Sequence, residues 1–455
     1  MKDFKSIYFV GAGGIGMSAL VRYYLSKGYR VGGYDKTPSE LTEELRREGA
    51  DIHYDENAAL IGPHFRDPNE TLVVRTPAVP ETHAGLIWFR ENGFTIVKRA
   101  ELLGLITRSD RGLCIAGTHG KTTTSSMTAH LLKQSHVDCN AFLGGILKNY
   151  DSNLLLSDKS DLTVIEADEY DRSFHHLHPY MAVITSSDPD HLDIYGDEAS
   201  YLESFRIFTT LIQPGGALVI RKGIKARPDL QEGVKLYTYS AEEGGDFHAE
   251  NIRIGNGTIL FDFVTPDTVI RDIEPGVPVK INIENGVAAM AIAWLNGVTE
   301  EELRAGMKSF QGPKRRFDFH IKTDKCVFLD DYAHHPDELK ASISSVKALY
   351  PERKISVIFQ PHLYSRTKDF APEFAEALSL ADEVILLDIY PARELPIPGI
   401  TSDIIFDRIT TKNKELCDRD MLLEKIKERN FDVLIMLGAG DIDRLILPVK
   451  EILLK

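Results

Sequence analysis

Short apolar runs alternate with longer amphipathic stretches along most of the 455-residue chain. Apolar runs of about four to eight residues bounded by Gly, Pro or polar residues are typical of buried strands, and the longer stretches have helical spacing. The pattern predicts strands at residues 7–10, 30–34, 71–75, 95–98, 112–116, 162–166, 181–185, 217–220, 327–329, 355–359, 384–388 and 433–437. Because strands that alternate with helices form parallel sheets, the sequence predicts an α/β fold.

The predicted strands fall into three groups. Polar residues 108–111 end the first group, and the turn Gln311-Gly312-Pro313, followed by a basic run, ends the second. Each group has one Gly-rich strand end, which indicates three nucleotide-type folds in series. We therefore predict domains at residues 1–107, 108–313 and 314–455, with irregular β structure within 223–280.

Charge and cysteine content limit the class of protein. The net charge of −15 repels nucleic acid and anionic membranes, so neither is an expected partner. The four cysteines are far apart and lack zinc-site spacing, as in a reducing compartment. No apolar run reaches the ~18 residues that span a bilayer, and the N-terminus does not read as a signal peptide. We expect a cytoplasmic protein.

The clearest chemical motif is GTHGKTTT, which follows a predicted strand and opens a predicted helix from Thr123 to about residue 134. Glycines let the backbone N–H groups converge on phosphate oxygens, Lys121 adds a cation for the β- and γ-phosphates, and Thr122 can bind Mg²⁺. The spacing departs from the generic phosphate-loop pattern at Ile115, and a plain Gly-rich turn with a solvated lysine is the alternative. The loop residues are Gly117, Thr118, His119, Gly120, Lys121, Thr122 and Thr123.

Two further Gly-rich turns follow strands. The first has a dinucleotide-binding pattern and consists of Gly11, Ala12, Gly13, Gly14, Ile15, Gly16 and Met17. It predicts a nucleotide diphosphate site, with Asp35 placed to bind a ribose or uracil group. A turn needed only for helix packing is the alternative. For the other turn, Gly438-Ala439-Gly440, the sequence does not distinguish a packing role from a role in lining a site.

Polar clusters follow several other predicted strands, where ligands sit in open α/β sheets. Four acids in the segment EADEYD, beginning at Glu166, repel each other unless a cation is present, which favours a metal site over a solvated loop. His191, after the next strand, is a second candidate metal ligand, with a structural histidine as the alternative. The segments DDYAHHP and FQPHLYSRT bring acids, histidines and Arg366, whose guanidinium suits a carboxylate. A capping loop is the alternative for each.

These motifs together resemble the Mur ligases, ATP-dependent enzymes that build the peptidoglycan stem peptide. The resemblance runs nearly end to end and is carried by VGAGGIGMSAL, GTHGKTTT, EADEYDRSF, DPDHLDIY, NIENGVAA, GPKRRF, DDYAHHP, FQPHLYSRT, YPARELPIPGITS and GAGDI. It implies a Rossmann-like UDP-sugar domain, a central P-loop ATPase domain with a parallel sheet, and a Rossmann-like C-terminal domain that closes on the others and binds an amino acid.

The resemblance also assigns residues. The sugar nucleotide would be held by Gly11, Gly13, Gly14, Ile15, Gly16, Met17, Asp35, Thr76, Arg99, Glu101 and His119. ATP would be held by the phosphate-loop residues together with Asn282, Asn285, Arg316 and Asp331. One Mg²⁺ would be held by Thr122 and a second Mg²⁺ by Glu166 and His191, and the amino acid would be held by Tyr332, His334 and Arg366. The catalytic residues would be Lys121, Glu166, His191, His334 and Arg366.

Two positions depart from the family pattern. The adenine motif has Ile281 where the family commonly has His, so this position has no histidine to stack on the base. Sister ligases have a carbamylated lysine at a position that falls near Arg206, and arginine cannot form that metal-binding group.

The implied reaction joins L-alanine to the lactyl carboxylate of UDP-N-acetylmuramate through an acyl phosphate, with ATP as phosphoryl donor and the chain acting as a monomer or weak homodimer. A Mur-type ligase that adds a recycled tripeptide to the same sugar nucleotide is one alternative. An NAD-dependent oxidoreductase would leave GTHGKTTT unexplained, and a non-catalytic nucleotide switch would leave the C-terminal Tyr, His and Arg cluster without a role.

Overall fold

The computed structural model describes residues 4–190, 192–255, 257–392 and 394–455. It contains three β-sheets flanked by helices, as the three groups of predicted strands indicate. The chain divides into two compact units, of which the first comprises residues 1–249, 263–270 and 285–307 and the second comprises 250–262, 271–284 and 308–455. In the described part of the chain, no helix combines the length and apolar composition needed to cross a bilayer.

The first sheet has five strands in the order β3-β2-β1-β4-β5, all parallel. The elements are β1 (Ser6–Val10), α1 (Ile15–Ser26), β2 (Arg30–Tyr34), α2 (Glu40–Arg47), β3 (Asp51–His53), β4 (Thr71–Arg75), α3 (Ala84–Glu91), β5 (Thr95–Lys98) and α4 (Arg99–Ser109). All five residues of β1 are buried, as expected for a central strand covered on both faces. The strand order reverses beside β1, which places the turn that follows it at a ligand-binding crevice.

The second sheet has ten strands in the order β15-β14-β13-β12-β11-β10-β6-β9-β7-β8. Its elements are β6 (Arg111–Ala116), α5 (Lys121–Lys133), β7 (Asn140–Leu147), β8 (Ser152–Leu155), β9 (Leu162–Glu166), β10 (Pro179–Ile184), α6 (Leu192–Tyr195), α7 (Glu198–Thr210), β11 (Ala217–Arg221), β12 (Lys235–Ser240), β13 (Phe247–Gly255), β14 (Thr258–Val264), β15 (Val269–Ile273), α8 (Ile281–Leu295) and α9 (Glu300–Ser309). The strands from β12 through β7 in this order are parallel at their recorded pairs, whereas β8 is antiparallel to β7. The segment 223–280 is indeed β structure, but it forms four regular strands of this sheet instead of irregular ones.

The third sheet has six strands in the order β16-β17-β21-β18-β19-β20. Its elements are β16 (Asp318–Lys322), β17 (Val327–Asp331), α10 (Pro336–Leu349), β18 (Ile355–Phe359), α11 (Tyr364–Asp369), α12 (Ala371–Leu378), β19 (Glu383–Leu387), α13 (Asp403–Phe406), β20 (Asn413–Cys417), α14 (Leu422–Lys427), β21 (Val433–Leu437) and α15 (Ile446–Leu453). Only β16 is antiparallel to its neighbour, so the polar segments after β17, β18 and β21 leave the sheet at one edge.

Candidate active site

The first Gly-rich turn connects β1 to α1 and is ordered by two neighbouring strands. Asp35 follows β2, and its Oδ2 accepts the backbone N–H of Gly13 at 2.7 Å. Thr76 follows β4 and packs its methyl group beside Gly11. The structure therefore brings both predicted partners to the turn, and the Asp35 carboxylate already orders its backbone.

Arg99 connects this turn to the acidic segment after β9. A Cβ on Gly16 would lie 2.0 Å from the Arg99 Nη1 atom, so any larger residue at position 16 would displace the end of the arginine side chain from its present position. The Arg99 Nη2 donates to Asp168 Oδ2 at 3.1 Å. Glu101, also a predicted substrate-binding residue, caps α4, because its Oε2 accepts the Lys98 backbone N–H at 2.5 Å, and its substrate-binding role stays a prediction.

The phosphate loop between β6 and α5 is held by the segment that follows β10. Gly117 has φ of +133°, a conformation that L side chains rarely adopt. The Thr118 hydroxyl donates to the Asp188 carbonyl at 2.7 Å, and the His119 N–H donates to Ser186 Oγ at 2.8 Å. The helix α5 begins at Lys121, two residues before the predicted start, so Thr122 lies in its first turn with Thr123. The first N–H groups of a helix point toward an anion at its N-terminus.

Lys121 is folded back onto its own loop and paired with a buried acid. Its Nζ lies 2.7 Å from the Gly117 carbonyl oxygen and 2.7 Å from Glu169 Oε2. The Glu169 side chain is 1% exposed, and burial raises the pKa of its carboxyl group while Lys121 opposes that rise. In this state the ammonium group has protein partners that an incoming triphosphate would have to replace or share.

Glu166 ends β9 directly beside β6, since its register partner is Ile115, two residues before the phosphate loop. It lines a cavity of about 160 Å³ together with Gly16, Arg99, Gly144 and Asp168. The cavity therefore joins the first Gly-rich turn to the acidic segment that the sequence predicts as a metal site. His191, the other predicted protein ligand on this edge, lies outside the described residues.

The predicted adenine residues are buried. Asn285 is 6% exposed, and its Oδ1 accepts the Thr124 hydroxyl at 3.2 Å, which ties α8 to the first turn of α5. Asn282 is 4% exposed and donates its amide to the Val277 carbonyl at 3.2 Å. Ile281 is 54% exposed at the start of α8, so an apolar surface residue stands where the family commonly has histidine.

A second cluster lies in the other compact unit, at the ends of β17 and β18. The rings of Tyr332 and His334 have centroids 5.3 Å apart, and His334 lies 6.1 Å from His362. Arg366 on α11 places Nη1 3.4 Å from His362 Nδ1, and Arg316 places its guanidinium over the Tyr332 ring at 5.3 Å. Burial lowers the pKa of His334, so a neutral imidazole is favoured near these cations. The cluster offers cationic donors for a carboxylate beside a neutral imidazole.

Asp331 ends β17 and is held in place by two hydrogen bonds. Its Oδ1 accepts the Phe317 N–H at 3.2 Å, and the Ser342 hydroxyl donates to its other carboxylate oxygen. Burial raises the pKa of Asp331 to about 6. Burial therefore destabilises the ionised form relative to an exposed aspartate, but a carboxyl group with this pKa is still mostly ionised at neutral pH, as a ribose-binding carboxylate needs to be.

We expect the Asp331→Asn variant to be more stable than the parent at pH 8 and equally stable below about pH 4. Below the unfolded-state pKa of about 3.9, Asp331 is protonated in both the folded and the unfolded parent, so its charge does not affect the free energy of unfolding. As the pH rises through the folded-state pKa of about 6, the buried carboxyl group ionises and the parent loses stability. Asparagine cannot ionise, so urea unfolding should show a gain of about 3 kcal/mol at pH 8. As a control, Asp337→Asn changes a side chain that is 92% exposed and should have no pH-dependent effect. A gain for Asp331→Asn that does not vary with pH would contradict this explanation.

Two features left open by the sequence have structural roles. In the Gly438–Gly440 turn, the Gly438 carbonyl accepts Arg315 Nη2 at 2.7 Å, and Gln360 Oε1 accepts the N–H of Ile442 just beyond the turn at 3.0 Å, which favours a packing role. Arg206 pairs with Glu203 at 2.7 Å and with Asp229 on the surface of α7, so its charge is neutralised locally.

The sequence interpretation gave no role to two residues that the structure places in these clusters. Glu169 was visible as the third acid of EADEYD, but only its burial against Lys121 distinguishes it from its neighbours. His362 was visible in FQPHLYSRT, and its ring bridges His334 and Tyr390. An aromatic or acidic residue directly after an apolar strand was the only signal available for either.

Three sequence profiles match successive parts of the chain. Residues 6–111 match the profile described as the Mur ligase family catalytic domain, and residues 115–293 match the Mur ligase middle domain. Residues 315–440 match the profile described as the Mur ligase glutamate ligase domain. The predicted domain boundaries remain a prediction.

Known proteins resemble the chain over its whole length. The UDP-N-acetylmuramate–L-alanine ligase of Parabacteroides distasonis is 68% identical over 450 residues, covering 99% of this chain and 97% of that protein. The ligase of the same name from Porphyromonas gingivalis strain W83 is 57% identical, covering 99% of each chain. The crystal structure of the UDP-N-acetylmuramate–alanine ligase of Thermotoga maritima matches with a TM-score of 0.81 at 26% identity, covering 99% of this chain and 98% of that one. A murein peptide ligase from Psychrobacter arcticus shares the fold, with a TM-score of 0.66 at 20% identity and coverage of 99% and 98%. With profile matches across most of its length and relatives this similar, the chain belongs to the Mur ligase family.

Proposed function

We propose that this protein joins L-alanine to the lactyl carboxylate of UDP-N-acetylmuramate and converts ATP to ADP and phosphate. The observation that carries the proposal is the cavity in the first unit, where the Gly-rich turn, Arg99 and Glu166 meet. A sugar nucleotide held at that turn would present its carboxylate toward the strand edge that carries the phosphate loop. The 68% identity to a ligase named for this reaction supports the choice of substrates.

A carboxylate is a poor acyl donor, so it needs activation before an amine can attack it. We propose that a carboxylate oxygen attacks the γ-phosphorus of ATP, which breaks the bond to the ADP oxygen and forms an acyl phosphate. The uncharged amine of L-alanine then attacks the acyl carbon and forms the C–N bond. The bond from that carbon to the former carboxylate oxygen breaks, the oxygen leaves as part of the phosphate, and the nitrogen loses one proton. Lys121 would offset the charge on the transferring phosphoryl group once it releases Glu169.

Mg²⁺ fits the donors that the structure gathers at the phosphate loop. Thr122 supplies a hydroxyl in the first turn of α5, and Glu166 supplies a carboxylate one strand away. Oxygen donors of this kind are those that Mg²⁺ prefers. We propose that Thr122 holds one Mg²⁺ ion and that Glu166 and His191 hold a second, where the two ions would neutralise negative charge on the phosphates. Because ATP and a UDP-sugar are the substrates, we propose that the reaction takes place in the cytoplasm. That the protein is a monomer or a weak homodimer stays a prediction.

The second cluster is the proposed amino-acid site. Arg366 would bind the L-alanine carboxylate with its planar fork, and Tyr332 and His334 would orient the amine end. We propose that Asn282, Asn285, Arg316 and Asp331 contact ATP, as the family resemblance implies. The tripeptide-adding alternative is not favoured by the named relatives, and an NAD-dependent oxidoreductase does not account for the phosphate loop.

We expect Arg366→Lys to raise the KM for L-alanine about 100-fold. Lysine keeps the positive charge but cannot make two parallel hydrogen bonds to a carboxylate, and the loss of a good charged pair of hydrogen bonds has about this effect. Steady-state kinetics with varied L-alanine at saturating ATP would measure it. The matched control is Lys368→Ala, on the exposed face of the same helix, which should leave the KM within about twofold of the parent. An unchanged KM in Arg366→Lys would contradict the assignment.

The proposed function is tested by phosphate release from ATP in the presence of UDP-N-acetylmuramate and a panel of acceptors. The panel contains L-alanine, glycine, L-serine, D-alanine and the tripeptide. We expect release to depend on both the sugar nucleotide and L-alanine, with L-alanine giving the highest kcat/KM. Preferential use of the tripeptide would favour recycling, and release that is independent of any acceptor would overturn the ligase assignment.

A further inference from the structure

Asn153 on β8 has a fully buried side-chain amide whose hydrogen bonds to described residues go to one helix, α1, of the first sheet. Its exposed fraction is 0%. The Nδ2 group donates to the Ile15 carbonyl at 2.6 Å and to Ser18 Oγ at 3.0 Å, and Oδ1 accepts Arg22 Nη1 at 3.0 Å. All three partners lie on α1, the helix that the first Gly-rich turn opens. A buried amide on the second sheet thus binds the helix of the first sheet at three points.

The chemistry of the partners fixes the orientation of this amide. An arginine can only donate, and a backbone carbonyl can only accept, so the oxygen of Asn153 must face Arg22 and its nitrogen must face Ile15. Arg22 is itself held by Glu44 at 2.8 Å and by Glu48 at 2.9 Å, and its side chain is 12% exposed. Glu44 on α2 and Glu48 just after α2 therefore orient Arg22, and Arg22 in turn orients the amide of Asn153.

Apolar packing alone would not define the position of α1 along β7 and β8. Met17 and Leu20 share one apolar core with Phe142 and Leu154, and the Tyr23 and Phe142 rings lie 5.2 Å apart. Burial of apolar surface is non-directional, so such a contact tolerates small shifts. Hydrogen bonds weaken steeply with distance and angle, so the amide of Asn153 sets the register that packing leaves undefined.

The position of α1 relative to β7 and β8 matters because residues of α1 and residues of the second sheet line the same cavity. Ile15 and Gly16 from the start of α1 face it together with Phe142, Gly144 and Glu166 from the second sheet. If the turn holds the sugar nucleotide and Glu166 holds Mg²⁺, the distance from the carboxylate to the γ-phosphate depends on where α1 sits on β8. A displacement of about 1 Å can cost about 100-fold in rate.

We propose that Asn153 is a positioning residue for the ligation reaction, which sets the sugar-nucleotide turn against the phosphate-transfer edge of the second sheet. This role rests on the proposed function. Asn153 does not touch the reacting atoms, and it acts through the backbone of Ile15 and the hydroxyl of Ser18.

The most specific test is Asn153→Asp, which keeps the side-chain shape and the contact with Arg22. It replaces the donor that faces the Ile15 carbonyl by an acceptor, so two oxygens are left to repel each other at that contact. The KM for UDP-N-acetylmuramate should rise at least about tenfold and kcat should fall at least about tenfold, while the KM for ATP stays within about twofold. A melting temperature measured in parallel would show that the variant is folded at the assay temperature.

The matched control is Asn140→Asp, at the start of β7. The Asn140 amide bonds only within the second sheet and its loops, where it donates to Ser160 O at 3.2 Å and accepts the Ser157 N–H at 2.8 Å. It should lower the melting temperature without changing the KM for UDP-N-acetylmuramate. A second test variant, Ser18→Ala, removes one partner of Asn153 with little change in volume and should change the sugar-nucleotide KM in the same direction by a smaller factor.

Asn153→Asp kinetics within about twofold of the parent, or equal effects of Asn140→Asp and Asn153→Asp on the sugar-nucleotide KM, would overturn the positioning role. If Asn153→Asp does not fold, an unchanged sugar-nucleotide KM in Ser18→Ala would overturn it, and a raised KM would support it. A parent enzyme that does not consume UDP-N-acetylmuramate would instead overturn the proposed function.

Discussion

Replacement of Lys121 by alanine is expected to reduce acyl-phosphate formation at least about 1,000-fold. The reason is the loss of the phosphate-loop cation that offsets charge on the transferring phosphoryl group, and single groups with this role contribute about 10²- to 10⁵-fold. Phosphate release under saturating substrates would measure the effect. Turnover within about tenfold of the parent would show that Lys121 does not have the proposed role.

The pairing of Lys121 with Glu169 complicates this variant, because alanine leaves a side chain of 1% exposure without its counter-charge. Removal of one partner of a buried ion pair commonly costs about 3–5 kcal/mol. We therefore expect Lys121→Ala to unfold at lower urea concentration than the parent, and Lys121→Ala/Glu169→Gln to recover most of that stability but none of the activity. Lys133→Ala, which changes the lysine at the other end of the same helix, controls for helix composition and should stay active.

Replacement of Glu166 by glutamine is expected to lower kcat about 100-fold and to raise the Mg²⁺ concentration for half-maximal activity at least about tenfold. Glutamine keeps the size and one oxygen donor of Glu166 but removes the negative charge that favours a divalent cation. Initial rates measured across a Mg²⁺ titration separate the two effects.

Asp161→Asn is the matched control for Glu166→Gln. Asp161 precedes the same strand at its opposite end and forms an exposed ion pair with Arg111 at 2.8 Å. Surface pairs of this kind contribute little, so the variant should keep its Mg²⁺ dependence and lose at most about 1 kcal/mol of stability. An equal Mg²⁺ requirement in Glu166→Gln and Asp161→Asn would remove Glu166 from the proposed metal site.

The strands were predictable because their signal is local. Residues 30–34, 71–75, 95–98, 162–166, 355–359 and 433–437 were predicted with the same bounds that the structure shows. Among them, 71–75, 162–166, 355–359 and 433–437 are short apolar runs with mostly buried residues, as buried parallel strands require. In contrast, β7 and β8 were not predicted, and two of the four residues of β8, Ser152 and Asn153, are polar, so its sequence lacks the apolar run of a buried strand.

Residues of the candidate site were predictable where a polar, charged or aromatic side chain lies at or just after the end of a predicted strand. The phosphate loop, Glu166, Tyr332 and Arg366 all have this signal. Asn153 had no such signal, and the signal of Glu169 did not distinguish it from its acidic neighbours, because the roles of these two residues depend on partners 138 and 48 residues away in sequence. Contacts over such separations follow from sheet order, which a single sequence does not contain.

The structure also limits what the two family departures can mean. Arg206 pairs with Glu203 and Asp229 on α7, so it does not present a free cation to replace the carbamylated lysine of sister ligases. Ile281 is a surface residue, so any contact with adenine at that position would be apolar.

The most direct test of the central claim follows the oxygen atoms of the sugar-nucleotide carboxylate. UDP-N-acetylmuramate labelled with heavy oxygen in its lactyl carboxylate is incubated with ATP, L-alanine and the enzyme, and the released phosphate is examined by mass spectrometry. Activation through an acyl phosphate predicts that each phosphate carries one labelled oxygen and that ADP carries none. Unlabelled phosphate, or label recovered in AMP, would contradict the account.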